Sequence, residues 1–168
     1  MQLVTVENSM GNPFFLLRRA QVQDTGLVLQ MICELAEFEK LLDQVVADEE
    51  TLKNSLLFDP KGPEVLLAEE NGKAVGFVLF FHNFSTFLGR KGIYIEDLYV
   101  RQEYRGKGYG EAILKEICQI AKQRNCGRVE WWALDWNERA INFYKKMGAI
   151  PMSDWTVFRM TEEAIKVP

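Results

Sequence analysis

A strand that leads directly into a glycine-rich loop and then a helix constrains this chain more than any other feature. Closely spaced apolar and aromatic residues predict a strand over 94–100, and apolar residues at helical spacing predict a helix from Ala112 to Ala121. Between them, residues 105–110 read Arg-Gly-Lys-Gly-Tyr-Gly. Backbone N–H groups of such a loop can converge without obstruction by Cβ atoms, and a helix N-terminus favours an anion. The pattern predicts either a cradle for a phosphate or pyrophosphate, or a turn that binds nothing.

The spacing in this loop differs from two common nucleotide-binding patterns. No Gly-Lys-Ser/Thr follows, as a Walker loop requires, and Glu111 stands where the Rossmann fingerprint has its third glycine. Arg105, Gly108 and Gly110 do fit the pattern Arg/Gln-x-x-Gly-x-Gly/Ala. On this motif the chain resembles the GNAT superfamily of N-acetyltransferases, in which the loop holds the pyrophosphate of acetyl-CoA.

A second motif lies downstream of the loop. The pattern Asn-x-x-Ala-x-x-Phe-Tyr-x-x-x-Gly starts at Asn137 and resembles the later motif of the same superfamily. Taken alone, Tyr144 is better interpreted as a helix aromatic that packs on a sheet. The two motifs occur in the expected order, and the resemblance extends from Leu17 to about Trp155. It is greatest to the spermidine/spermine (diamine) N-acetyltransferases and their relatives that act on thialysine-like amines.

The order of elements predicts a mixed α/β fold: strand, two helices, hairpin, strand, helix, strand, helix, strand. Asn71-Gly72 marks the hairpin, while 83–92 reads as a loop, and strands are expected over 128–134 and 152–160. Asp24 and Asp48 are expected to cap the first two helices, and residues 60–63 are expected to form a turn. The resemblance implies an α/β (α+β) fold of the GNAT type. That fold has a mixed, mostly antiparallel central sheet flanked by helices, with splayed parallel strands that hold the cofactor. We expect a flexible N-terminal extension over 1–13 and a single N-acetyltransferase domain over 14–168.

Composition narrows the classes of function. The 168 residues carry a formal net charge of -4, which argues against a general nucleic-acid binder. Three cysteines without CxxC spacing and a single histidine argue against a disulfide framework or a metal site, so we expect no metal. No apolar run is long enough to span a bilayer. We therefore expect a cytoplasmic protein without a membrane or nucleic-acid partner, and the resemblance implies a homodimer.

The chemistry of acetyl transfer indicates which residues to look for. A primary alkylammonium titrates near 10.4 and must lose a proton before it attacks the thioester, and a carboxylate can accept that proton. Glu96 and Asp97 are the candidates, and because strand side chains alternate, only one is expected to face the cleft. The resemblance favours Glu96 as the catalytic residue that touches substrate. It also implies that Tyr144 is the general acid that protonates the leaving thiolate.

The remaining site residues follow from the resemblance. Backbone groups of Leu98–Val100 could stabilise the oxyanion and pair with pantetheine amides. Acidic and aromatic side chains are expected at the amine end, where they would attract or wall in a cation. The expected cofactor-binding residues are Leu98, Tyr99, Val100, Arg105, Gly106, Lys107, Gly108, Tyr109, Gly110, Glu111, Asn137, Glu138, Arg139, Ala140 and Tyr144. The expected substrate-binding residues are Phe38, Glu39, Glu96, Glu130, Trp131 and Trp132.

Two points of the resemblance leave the acceptor open. The polyamine enzymes carry an acidic residue in the loop before the last strand, where this chain is shorter and has only Asp154. The resemblance implies that the acceptor is a small primary amine of polyamine, diamine or thialysine-like type. The shorter loop argues against spermine and spermidine within that class. The alternatives are a protein or peptide N-acetyltransferase of the same fold, or a non-catalytic acyl-CoA-binding module.

Overall fold

A five-stranded sheet in the order β1-β2-β3-β4-β5 organises the fold. The structure, a computed structural model, describes residues 14–56 and 62–166. The expected extension over 1–13 and part of the turn predicted at 60–63 lie outside the described residues. The strands are β1 (Phe15–Arg19), β2 (Glu64–Glu70), β3 (Lys73–Ser85), β4 (Arg90–Val100) and β5 (Val129–Glu130). The helices are α1 (Thr25–Glu39), α2 (Glu49–Leu56), α3 (Tyr109–Gln123), α4 (Glu138–Lys146) and α5 (Glu162–Ile165).

Three antiparallel pairings and one parallel pairing confirm the predicted mixed sheet. The hairpin between β2 and β3 turns at Asn71 and Gly72, whose φ angles of 53° and 74° match the left-handed geometry of the favoured two-residue turn. The parallel pair joins β4 to β5 across the crossover helix α3, as the strand–helix–strand pattern predicts.

One part of the core lies between α1 and the sheet. Val28 and Met31 of α1 are fully buried against Leu67, Phe77 and other apolar side chains of the central strands. The residues at helical spacing in α1 therefore do face the sheet, as amphipathic periodicity predicts. This packing brings the C-terminal end of α1 to the face of β3 and β4.

The start of α1 is held by an ion pair instead of a capping hydrogen bond. Asp24 precedes the helix as expected, but its side chain makes no capping contact. Its carboxylate accepts hydrogen bonds from Arg18 at 2.7 and 2.9 Å and from the Gln21 amide at 2.7 Å. By contrast, Asp48 caps α2 as predicted, since its Oδ1 accepts from the Thr51 amide at 2.8 Å.

The loop predicted over 83–92 is wrong, because most of it belongs to the sheet. β3 continues to Ser85 and β4 begins at Arg90, with the two paired across the hairpin. The polar and glycine residues there read as a loop, yet the cross-strand ladder accommodates them on a partly exposed hairpin.

Two further strand predictions are wrong in extent. The strand expected over 128–134 is reduced to β5, and no strand forms over 152–160 within the described chain. Met152, Trp155 and Phe158 are instead exposed, at 63%, 71% and 89% of their full accessible surface. A strand needs a neighbour for its backbone groups, and composition alone does not supply one.

The chain divides into two compact units, Met1–Trp132 and Ala133–Pro168. The first contains the sheet with α1, α2 and α3, and the second contains α4 and α5. α4 begins after Asn137, whose Oδ1 accepts from the Ala140 amide at 3.2 Å, and it ends before Gly148, whose φ is 91°. Both ends of α4 therefore match their sequence signals.

Candidate active site

Strand β4 has an open edge where its parallel neighbour ends. β4 and β5 pair only at Ile93 with Val129 and at Tyr94 with Glu130. From Ile95 to Val100, no strand in the described part of the chain lies on that side. Backbone groups on an open edge can pair with an extended amide-containing ligand. The splayed parallel strands expected from the sequence are thus present, and they expose the segment that includes Leu98, Tyr99 and Val100.

The glycine-rich loop opens α3 as predicted. Gly106 and Gly108 have φ angles of 82° and 80°, and Gly108 is the residue that precedes the first turn of the helix. A Cβ atom placed on Gly106 would meet nothing within 4 Å, so the loop faces open space there. The first amides of an α-helix have no acceptor within the helix and face outward along its axis. This geometry fits a pyrophosphate, which would accept from amides between Gly106 and Glu111.

Two aromatic residues predicted near the cofactor have buried side chains. Tyr109 stacks on Phe15 with ring centroids 4.6 Å apart and hydrogen-bonds Glu70. Tyr99 packs edge-on against Phe77 in the core, with ring centroids 6.5 Å apart. Any contact of Tyr99 or Tyr109 with a cofactor therefore involves backbone atoms. The buried Tyr109 also anchors the first turn of α3 to the end of β2.

The two cations of the loop have different surroundings. Lys107 lies 3.5 Å from a Glu70 carboxylate oxygen and 4.9 Å from the centroid of the Tyr104 ring. Arg105 donates from Nε to the Val100 carbonyl at 2.9 Å, and its guanidinium carbon lies 4.4 Å from the centroid of the Phe38 ring. Arg105 is thus in contact with α1, whereas the contacts of Lys107 are with β2 and its own loop.

Three carboxylates, those of Glu39, Glu96 and Asp97, lie at the end of α1 and in the middle of β4. Burial raises the pKa of Asp97 to about 6, and the charges of Glu96 and Glu39 contribute to the rise. Burial also raises the pKa of Glu39. None of the three forms an ion pair within the described residues. An uncompensated acidic cluster of this kind favours a positively charged ligand.

A bulge in β4 changes the expected alternation of Glu96 and Asp97. Leu79 pairs with Asp97 and Phe80 with Ile95, so Glu96 is an extra residue with no partner on β3. Glu96 is exposed and Asp97 is half-buried. A bulge of this kind interrupts the strict two-residue period of a strand. The expectation that only one of these carboxylates can reach the cleft rested on a regular strand, which β4 is not at this point.

The other acidic residues of α1 do not join this cluster. Glu34 accepts two hydrogen bonds from Arg101, each of 2.9 Å, and Arg101 also donates to the Ala74 carbonyl at 3.0 Å. Glu37 is exposed. Glu34 therefore ties α1 to the end of β4, and Glu39 remains the acidic residue of this helix beside Asp97.

The three predicted substrate-binding residues on and after β5 differ in exposure and in their contacts with neighbouring side chains. Glu130 accepts from Asn83 Nδ2 at 2.9 Å and forms an ion pair of 2.9 Å with Arg128. Trp132 is 58% exposed and meets the Tyr94 ring edge-on, with centroids 5.8 Å apart. Trp131 is half-buried. Glu130 is thus already bound to neighbouring side chains, whereas Trp132 presents an indole face to solvent.

The remaining predicted residues lie on α4, in the second unit. Asn137 caps this helix, Glu138 and Arg139 are exposed in its first turn, and Ala140 supplies the capped amide. Tyr144 is half-buried, with its ring centroid 5.3 Å from that of Phe143.

Neither a metal centre nor a membrane span is found in the described residues. Over 14–56 and 62–166, no three His, Cys, Asp or Glu side chains are grouped as a metal ion would need. Within the same ranges, no helix has both the length and the apolar character to cross a bilayer. His82 bonds with the Gly92 carbonyl and with Arg124, each at 3.0 Å. These contacts give it a place between two strands and α3, as expected for a structural histidine.

Comparisons with known proteins agree with this geometry. The model of the Acetyltransferase (GNAT) family matches residues 29–149. A thialysine N-epsilon-acetyltransferase of Bos taurus is 37% identical over 164 residues, which cover 91% of this chain and 96% of the relative. An L-ornithine N5-acetyltransferase of Arabidopsis thaliana is 41% identical over 119 residues, 70% of this chain and 52% of the relative. An integron cassette protein from the mobile metagenome of V. cholerae has a similar structure, with a TM-score of 0.75, 26% identity and coverage of 90% of this chain and 95% of that one.

The chain belongs to the acetyltransferase (GNAT) family. It is an acetyl-CoA-dependent N-acetyltransferase, and the resemblance to enzymes that act on thialysine-like amines is confirmed. Sequence reasoning missed the contact of Arg105 with Phe38 and the pairing of Arg101 with Glu34. Both join residues that are distant in sequence, and no local pattern marks them.

Proposed function

We propose that this enzyme moves the acetyl group of acetyl-CoA to a small primary amine by direct attack. The observation that carries the proposal is the cluster of Glu39, Glu96 and Asp97, which lies beside the open part of β4 without an ion pair in the described chain. A protonated amine would supply the missing positive charge. The names of the relatives support the same class of substrate.

Asp97 is the carboxylate best suited to accept the proton of the amine. An amine with a pKa near 10.4 needs about 4 to 5 kcal/mol to lose its proton at pH 7. A base with a pKa of about 6 is largely ionised at neutral pH and is a stronger proton acceptor than an ordinary aspartate. Glu96, the residue favoured by the resemblance, is exposed beside it and would contact the ammonium group. We propose that the two carboxylates act together, with Glu96 holding the amine and Asp97 accepting the proton.

The remaining steps need neither a metal nor a covalent acyl-enzyme. The neutral amine attacks the thioester carbonyl, and backbone amides between Leu98 and Val100 are proposed to stabilise the oxyanion. The C–S bond then breaks, and Tyr144 donates a proton to the departing thiolate. The attacking nitrogen loses its second proton as it becomes an amide, and that proton restores the Tyr144 hydroxyl, directly or through solvent. The loop residues Arg105 to Glu111 and the first turn of α4, Asn137 to Ala140, are proposed to hold acetyl-CoA.

Among small amines, an amino acid with a side-chain amine is the preferred acceptor. Thialysine and ornithine, named for two relatives, both carry a primary amine at the end of a short chain. Phe38, Glu39, Trp131 and Trp132 are proposed to form the amine end of the site, with Glu130 at its border. Asp154 is the single acidic residue over 150–155, and it offers little for the distal amine of a long polyamine.

The test is CoA release from acetyl-CoA with a panel of thialysine, ornithine, lysine, putrescine, spermidine and a short peptide. We expect turnover with the amino acids and loss of turnover by about 100-fold or more in Tyr144→Phe, with acetyl-CoA affinity retained. Turnover with the peptide alone would identify a protein acetyltransferase. Acetyl-CoA binding without turnover on any acceptor would favour a non-catalytic acyl-CoA-binding module.

The pH dependence of kcat/KM separates the roles of the two carboxylates. In the wild type, kcat/KM should fall as the pH drops below about 6, because Asp97 becomes protonated. Asp97→Asn should remove this fall together with most of the activity. Glu96→Gln should raise KM for the amine and move the fall to lower pH, since the negative charge that raises the pKa of Asp97 is gone. If Glu96 were the base instead, the fall of kcat/KM at low pH would disappear in Glu96→Gln and persist in Asp97→Asn.

Three further expectations belong to this proposal. The family match over 29–149 extends across both compact units, which supports a single N-acetyltransferase domain. The exposed apolar residues near the end of the chain support a homodimer, which light scattering would test. The unpaired Cys33, Cys118 and Cys126 are compatible with a cytoplasmic location.

A further inference from the structure

Arg105 joins the glycine-rich loop to the amine end of the site. Its Nε donates to the Val100 carbonyl at 2.9 Å, at the end of the open edge of β4. The guanidinium carbon lies 4.4 Å from the centroid of the Phe38 ring and 5.7 Å from that of Tyr99. A planar guanidinium that is held by one hydrogen bond and stacked on a ring has little freedom to move independently.

The stacked ring precedes Glu39 directly in the chain. Phe38 and Glu39 are both half-buried in the last turn of α1, and Lys40 follows in the left-handed conformation, with φ at 62°. The charge of Glu39 contributes to the raised pKa of Asp97. A shift of the last turn of α1 at Phe38 would move Glu39 with it, and Glu39 is one of the carboxylates proposed for the amine end of the site.

A second arginine fixes the same face of α1 one turn earlier. Arg101 holds Glu34 through two hydrogen bonds of 2.9 Å. Residues 34 and 38 are four apart and share one face of the helix. Since Arg101 secures the preceding turn, any adjustment driven by Arg105 is confined to the last turn of α1, where Glu39 lies.

We propose that Arg105 is a positioning residue that couples acetyl-CoA binding at the loop to the amine end of the site through Phe38. Anion binding to the amides after Arg105 selects one conformation of the loop, which fixes the guanidinium and with it the Phe38 ring. Amine binding is then stronger once acetyl-CoA is bound, and the effect is reciprocal. This inference rests on the proposed function, since it assigns a coupling within the same site.

Hydrogen exchange tests the coupling without any amine. Acetyl-CoA should slow the exchange of amides in residues 36–40 of the wild type by about threefold to tenfold, the size of one cation–π contact. Arg105→Lys keeps the charge but loses the planar stack, so the slowing should nearly vanish at saturating acetyl-CoA. The matched control is Lys73→Gln, which removes a cation at the start of β3 whose Nζ lies 5.7 Å from the centroid of the Tyr104 ring. Lys73→Gln should keep the slowing.

Steady-state kinetics provide the second readout. At saturating acetyl-CoA, Arg105→Lys and Phe38→Leu should each raise KM for the amine by about threefold to tenfold with a smaller change in kcat. The double variant should be no worse than the poorer single variant, because both remove the same contact. Additive effects, or slowing of exchange that persists in Arg105→Lys, would overturn the coupling and leave the proposed function intact. Failure of the wild type to bind acetyl-CoA would overturn both.

Discussion

Replacing Asp97 with asparagine should increase the stability of the protein at neutral pH. The substitution keeps the shape of the side chain and removes a charge that burial makes unfavourable. The pKa of Asp97 is about 6 in the folded protein, compared with an ordinary value of 3.8. The native state therefore binds this proton more tightly than the unfolded chain, so the contribution of Asp97 to stability falls as the pH rises from about 4 to about 6.

The magnitude follows from the two pKa values. The difference between 6 and 3.8 is about 2 units, and each unit corresponds to about 1.4 kcal/mol. At pH 7 the ionised carboxylate lowers the free energy of unfolding by about 3 kcal/mol, and at pH 4 by only about 0.5 kcal/mol. Asp97→Asn should thus be more stable than the wild type by about 2 to 3 kcal/mol at pH 7 and nearly equal to it at pH 4.

Urea denaturation monitored by tryptophan fluorescence at several pH values between about 4 and 7 provides the assay. Asp24→Asn is the matched control, because this substitution should lower the free energy of unfolding at neutral pH where Asp97→Asn raises it. Hydrogen bonds from Arg18 hold the pKa of Asp24 below its ordinary value, so its charge stabilises the fold at neutral pH and this contribution is lost as the pH falls below about 4. A lower stability of Asp97→Asn than of the wild type at pH 7, or a gain that does not grow with pH, would contradict the unfavourable burial of the Asp97 charge.

Three other substitutions test separate parts of the structure. Gly108→Val should abolish acetyl-CoA binding, measured by calorimetry, because φ is 80° at this position and a β-branched residue would distort the loop; normal binding would contradict the loop assignment. Asn137→Ala should destabilise the start of α4 by about 1 kcal/mol through loss of the capping hydrogen bond, seen as faster exchange of the Ala140 amide, and Asn137→Asp should largely restore it. Glu34→Gln should lower the free energy of unfolding by about 1 to 3 kcal/mol, because it weakens the two hydrogen bonds that Arg101 donates to Glu34. Urea denaturation measures this change, and an unchanged midpoint would show that the pair does not hold α1 in place.

Local patterns predicted the elements whose signals are contained within a few residues. The glycine loop, the Asn71-Gly72 turn, the cap at Asp48 and the Asn137 cap of α4 all form as their residue types indicate. Each depends on backbone geometry or a hydrogen bond between residues at most four apart. The class of fold followed from the order of these elements, and the class of enzyme from two short motifs.

Sequence patterns were least reliable where a strand depends on a distant neighbour. Residues 83–85 and 90–92 are strand because β3 and β4 pair there, whereas residues 152–160 form no strand although several of them are apolar. The bulge at Glu96 is equally invisible in sequence, because it exists only in the register between two strands.

Adjacent residues alone specify the loop that can hold a pyrophosphate, the helix that follows it and the pair of carboxylates in the preceding strand. The raised pKa of Asp97 arises in the folded chain, because its burial and the nearby charge of Glu39 depend on α1 packing against β4. Tertiary packing also places Arg105 against Phe38, which lies 67 positions earlier in the chain. Charge and burial depend on neighbours in space, and only the fold specifies those neighbours.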